Sequence, residues 1–169
     1  MFPRLLLLAL LAGLLPVLMA FADRPPADEA RAPVEVRIVA AERTTISKAP
    51  FVSLSCELHN PNAGHVRFVG YESDSYDPPL KEGTCSPIYL VQLQRDGKWQ
   101  YHQLGWCGTG IGKIRLTVDG TATFAVAVPY DAGWEAVRVG VRWTGRPQAS
   151  LDFELPWDTA WSEPFSLAD

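Results

Sequence analysis

The sequence predicts an all-β protein, an antiparallel immunoglobulin-like β-sandwich, carried behind an N-terminal export segment. Three observations predict it. From Val34 onward, apolar and polar residues alternate at every second position, the mark of half-buried strands. Turn-forming residues separate these runs at short intervals. No segment after residue 33 carries an amphipathic helical period. Closely spaced strands with no helices must bury their apolar faces on each other, as a sandwich or a barrel, and the sandwich is the preferred reading.

The N-terminus does not share this pattern. Arg4 precedes an uncharged run from Leu5 to Ala22, broken only by Gly13 and Pro16, and Ala20-Phe21-Ala22 ends it in a small-x-small pattern before Asp23. A basic start, an apolar core and a small-residue end make residues 1–22 a secretory signal. The run is also close to the ~18 residues that a membrane span needs, so an uncleaved anchor helix is the alternative. The proline within the run and the lack of a basic flank favour cleavage. No cysteine follows the run, which argues against lipidation. Residues 23–33 begin DRPPADEARA, too polar and proline-rich to bury much, and read as a flexible spacer. Residues 34–169 are then one domain, expected in the periplasm, outside the cell, or held outward by a membrane tether.

Composition narrows the class. The 169 residues are 47% hydrophobic, enough for one sizeable core. Without residues 1–22, which hold only Arg4, 14 Lys+Arg stand against 19 Asp+Glu, a formal charge of −5. An acidic domain is a poor electrostatic partner for nucleic acid, and none is expected.

Each strand can be placed from its alternation. Val34, Val36 and Ile38 form one inward row, Val52, Leu54, Cys56 and Leu58 a second, and Val66 with Phe68 a third. Ile88–Arg95 is apolar on both faces, as a central strand is. Ile114 and Leu116, then Phe124, Val126 and Val128, then Val137, Val139, Val141 and Trp143 continue the series. Trp161–Leu167 is expected to be the last strand, with Ser150–Leu155 before it. Asp96-Gly97 and Asp119-Gly120 each lie between apolar-periodic runs, and Asp-Gly suits the positive φ of a two-residue hairpin, so both are expected to close hairpins. Asn60–Gly64 reads as a longer turn.

Leu58-His59-Asn60-Pro61-Asn62 followed by Val66 and Phe68 resembles the strand-to-turn stretch of bacterial immunoglobulin-like domains. Ile114 through Asp119-Gly120 to Val128-Pro129 resembles a later hairpin of that superfamily, with Asp119 where a proline often precedes the glycine. The resemblance implies an immunoglobulin-like or fibronectin III-like sandwich and carries no functional residue with it.

Three cysteines in an oxidising compartment leave one pair and one remainder. Cys56 has inward parity and is expected to be core. Cys85 and Cys107 lie in turn-like contexts and are expected to form the disulfide. Cys107 as a nucleophile would need an activating neighbour, and His102 is the nearest histidine in sequence. Gly105–Gly112 is glycine-rich, but a strand pattern rather than a helix follows it, so it lacks the helix N-terminus a phosphate loop needs. His59 and His65 could face each other across a hairpin, with Glu57 and Arg67 as the next pair, yet two imidazoles are short of a metal set. Glu72, Asp74 and Asp77 form an acidic loop without the glycine and terminal glutamate of a calcium loop.

Six tryptophans are many for this length. Trp143 has core parity. Trp99 and Tyr101 share a face, and with Trp106 they are the candidate ligand-binding aromatics, because indoles stack on sugar rings or anchor protein partners. Lys113, Arg115, Arg138 and Arg142 point outward and would form a cationic face if their strands share a sheet. No G-x-S-x-G, H-E-x-x-H or paired-carboxylate motif occurs. The expected function is therefore a non-catalytic binding or structural module without cofactor, meeting an unknown protein or polysaccharide outside the cytoplasm. A carbohydrate-binding module using Trp99, Tyr101 and Trp106 is the second reading. A small exported hydrolase centred on Cys107 or His102 is the third.

Overall fold

Alternation from Val34 onward becomes strand almost throughout the computed structural model. The structure describes residues 32–106, 108–117, 119–145 and 157–167. Among them are strands β1 (Glu35–Ile46), β2 (Ala49–His59), β3 (Val66–Tyr71), β4 (Ser86–Pro87), β5 (Tyr89–Arg95) and β6 (Lys98–His102). β7 (Ile111–Leu116), β8 (Thr121–Pro129), β9 (Ala136–Thr144), β10 (Asp158–Trp161) and β11 (Phe165–Ser166) follow.

The strands form two antiparallel sheets. The first has the order β1-β2-β8. The second runs β4-β3-β9-β5-β6, with β7 added to β3 and β10 and β11 to β9. Val52, Leu54, Cys56 and Leu58 of β2 and Phe124, Val126 and Val128 of β8 face inward from the first sheet. They meet Val66 and Phe68 of β3, Val91 and Leu93 of β5, and Val137, Val139, Val141 and Trp143 of β9. Most of these side chains are fully buried, each contributing about 1.5–3 kcal/mol by leaving water. All-β packing in two sheets is thus as the alternation predicts.

The turns divide. Asp96 (φ 50°) and Gly97 (φ 69°) both take the left-handed conformation, and β5 pairs with β6 around them, the predicted hairpin. Asp119-Gly120 is different. β7 pairs with β3 and β8 with β2, so the chain at Asp119 (φ 50°) crosses from one sheet to the other instead of closing a hairpin. The hairpin that the sequence hides is β1–β2, turned through Ser47 (φ 51°) and Lys48 (φ 70°), neither of them a favoured left-handed residue. Ser150–Leu155 lies outside the described residues.

Asn60–Gly64 is also a sheet-to-sheet crossing, since β2 and β3 belong to different sheets. Asn60 is fully buried at its start. Its Nδ2 donates to the carbonyls of Gly64 (2.9 Å) and Thr117 (2.8 Å), and its Oδ1 accepts from the backbone N–H (3.1 Å) and Nδ2 (2.9 Å) of Asn62. Its own backbone N–H donates to Gly120 O at 3.0 Å. One side chain therefore ties both crossings together with its hydrogen-bonding capacity filled.

The expected Cys85–Cys107 disulfide is overturned: Cys85 is a free thiol, as is Cys56. Cys107 lies outside the described residues. Gly83–Cys85 is not a loop free to reach a partner. Thr84 bridges Thr123, Thr123 N donates to Gly83 O (2.9 Å), and Cys85 N donates to Thr123 O (2.8 Å). This stitching to β8 holds Cys85 against the core. Burial pushes both thiols up to about 12.

Two outcomes follow. Asn60→Ala removes two part-buried hydrogen bonds, to the carbonyls of Gly64 and Thr117, costing roughly 1–3 kcal/mol together, and Asn60→Asp costs at least as much because a carboxylate only accepts. Urea titration should show lowered midpoints with an unchanged slope; a midpoint equal to wild type would refute the role. At pH 8 a thiol with so high a pKa is thiolate in only about 1 part in 10⁴. Iodoacetamide should therefore spare Cys56 and Cys85 in the native protein and alkylate both in guanidinium without reductant. Native labelling of either, or resistance in denaturant, would count against this account.

Candidate functional site

The outward face of the second sheet is built by the parity opposite to the core. With Val137 and Val139 inward, Arg138 and Gly140 face out; with Val91 and Leu93 inward, Gln92 faces out. Register then does the assembly. Gln94 lies opposite Trp99 and Gln92 opposite Tyr101 across β5–β6, Gln92 opposite Arg138 across β5–β9, and Gly140 opposite Trp161 across β9–β10. Four strands thus deliver one cluster.

At its centre the Arg138 guanidinium lies 4.6 Å from the Trp99 ring centroid and 5.0 Å from that of Trp161. Its Nε donates to Gln92 Oε1 at 2.7 Å, which fixes the fork between the two indoles. Each such cation–π contact is worth about 0.5–2 kcal/mol, depending on desolvation. Tyr101 stands 6.1 Å from Trp161, tilted at 60°, and is 66% exposed. Gly140 makes room for this stack, because a Cβ there would sit 2.9 Å from the Trp161 ring. The arrangement leaves Tyr101 exposed beside two partly buried indoles, a ring on a sheet against which a flat apolar face of a ligand can stack.

Trp106, the third predicted aromatic, goes elsewhere. It packs edge-on to Tyr89 (4.6 Å, 85°) and 6.2 Å from Tyr71, while Tyr89 stacks on Phe124 of the first sheet. Trp106 thus covers the seam between the sheets and does not extend the platform; Trp161 takes that place. Beside it, Tyr71, Ser75, Tyr76, Thr109 and Gly110 line a wide, open depression of about 360 Å³.

Lys113, Arg115, Arg138 and Arg142 do share a sheet. β7 joins β3, with Arg115 opposite Arg67, and β3 joins β9, with Arg67 opposite Thr144. Arg142 sits two residues beyond Gly140, opposite Thr159. Outward parity could be read from the sequence, but Arg67 as the bridge between the two cationic strands could not.

The other candidates are not brought together. His59 turns to the first sheet, its Nδ1 3.0 Å from Thr121 Oγ1 and its Nε2 3.7 Å from Asp119, and does not face His65 across a hairpin. Asp74 lies within a short 3-10 turn at Ser73–Ser75, with Glu72 before it and Asp77 after it. Among the described residues no group of three or more His, Cys, Asp or Glu side chains gathers for a metal ion. The glycine-rich stretch leads into β7, not a helix. His102 ends β6, half-buried.

Neither a protein-family model nor a curated protein matches this chain.

Gly140→Ala should lift the Trp161 indole off β9 and loosen its hold on Arg138. Near-ultraviolet circular dichroism should lose tryptophan signal, with a stability loss of about 1 kcal/mol. Unchanged spectra with full stability would mean the stack does not depend on that glycine.

Proposed function

We propose that this chain is an exported, non-catalytic binding module of the immunoglobulin-like or fibronectin III-like β-sandwich type. It takes a carbohydrate on the outer face of its second sheet. The observation that carries the reading is the Trp99–Arg138–Trp161 stack, which holds Tyr101 at 66% exposure beside it. Exposed aromatics on a rigid strand lose little entropy when they bind, and a pyranose ring offers them an apolar face of matching size. Arg138, fixed by Gln92, stiffens the platform further. The leader-like residues 1–22 support export, where polysaccharide is abundant. The resemblance around Asn60, with two antiparallel sheets packed face to face, supports the superfamily. No catalytic motif stands in the sequence, which supports binding without turnover.

Intrinsic tryptophan fluorescence titrated with a panel of soluble polysaccharides tests this. At least one should shift or quench the emission, and Tyr101→Ala should weaken that ligand by about tenfold, the loss of ~1.4 kcal/mol. A folded protein whose spectrum and gel mobility stay unchanged across the panel would dismiss the reading. Hydrolysis of any member would replace it with the enzyme.

A further inference from the structure

We infer that the carbohydrate this face takes is acidic, a polysaccharide carrying carboxylates as uronate residues do. The inference rests on reading the outer face of the second sheet as the sugar-binding surface, and it is carried by Arg67, Lys113, Arg115 and Arg142, which take no part in the aromatic stack.

Lys113 and Arg115 on β7, Arg67 on β3, and Arg142 and Arg138 on β9 all occupy outward positions of one continuous sheet. Arg115 lies directly opposite Arg67. Like charges facing each other across a strand pair oppose folding, so a sheet without a use for them would set a carboxylate between. None is there. No described carboxylate lies within ion-pair distance of Arg67, Lys113, Arg115 or Arg142. Arg67, Lys113 and Arg142 are moreover half-buried, where solvent screens their repulsion less.

This happens in a chain whose formal net charge is negative. Of the described acidic residues, Glu35, Glu42 and Glu57 lie on the first sheet, and Glu72, Asp96 and Asp131 on loops; Asp158 is on β10 of the second sheet, but opposite inward-facing Trp143 and so off the outward row. The outward row of the second sheet is therefore cationic, whereas the first sheet mixes both signs (Glu35, Arg37, Glu42 and Arg43 on β1), and that cationic row is the one that holds the aromatic platform.

The order of groups along this face fits the ligand. Arg142 and Arg138 flank Gly140, on which Trp161 lies, so a cation stands on either side of an indole. From Arg142 to Arg138 the outward row runs ~14 Å along β9, enough for more than one sugar ring. A chain of uronates offers the matching alternation, an apolar ring face for each aromatic and a planar carboxylate for each guanidinium fork. Nucleic acid fits less well. Duplex DNA carries a charge every ~1.7 Å, far denser than these interspersed cations, and the acidic remainder of the domain would repel it.

Alginate and polygalacturonate, each beside its carboxyl-reduced counterpart, separate this inference from the reading beneath it. The expected result is binding of a uronate polymer, about tenfold or more weakened in the reduced form and falling as sodium chloride rises. Arg67→Gln and Arg142→Gln, each checked for native folding by circular dichroism, should each weaken it severalfold and flatten the salt dependence. Equal, salt-insensitive binding of charged and reduced polymers would overturn the acidic inference and leave the stacking platform standing. Absence of binding to both forms, and to the neutral panel, would overturn the two together. Duplex DNA competing as well as the uronate would replace the glycan with a general polyanion.

Discussion

β9 is the constraint on which the molecule turns. Val137, Val139, Val141 and Trp143 point into the core, and the same backbone pairs with β3, β5, β10 and β11. A one-residue slip would exchange the core row for Arg138, Gly140 and Arg142, so burial fixes the register strongly. Because that register is fixed, so is everything on the opposite face. The position of Arg138 between Trp99 and Trp161 is a consequence of burying four large side chains on the other side of the sheet.

Around this strand the two sheets are connected by polar devices, not by the apolar core alone. Buried Asn60 joins the β2–β3 and β7–β8 crossings through hydrogen bonds to Gly64, Thr117 and Asn62. Arg95 stacks on Trp134 at 4.1 Å and donates to Asp131 at 2.6 Å, tying the β5–β6 hairpin to the loop before β9. The N–H of Gly133 and the Arg95 guanidinium hold the Asp131 carboxyl below its ordinary range. A depressed carboxyl contributes stability above its unfolded pKa and loses it as pH falls through the folded value, so acid loosens this tie.

Legibility of the sequence followed the range of the interaction. Strand rows, the core parity of Cys56 and Trp143, and the Asp96-Gly97 hairpin are set by neighbours within a few residues, and all were readable. Asp119-Gly120 was misleading because the dipeptide specifies a tight turn in the backbone, not which strands the turn joins. Cys85 misled for a related reason. Its glycine- and proline-flanked context reads as loop, yet the backbone is claimed by Thr123, nearly forty residues away, and the side chain is drawn into the core. Trp99 and Tyr101 were found because a shared face is a local property. Trp161 and Arg67 were missed as members of that surface because their places depend on strand pairings that no single segment encodes.

The sequence by itself determined which side of each strand faces water, since solvent sorts apolar from polar side chains at the two-residue period wherever a strand lies. It determined, too, that the described residues from Val34 onward would be built of strands and not α-helices. Only the tertiary structure decided which strands became neighbours, and hence that two indoles, an arginine and a tyrosine from three different strands would converge. The physical reason is that hydrogen-bonded pairing between strands is chemically uniform along the backbone. Its partners are chosen by the fit of the whole core, and that fit exists only once all the rows are assembled.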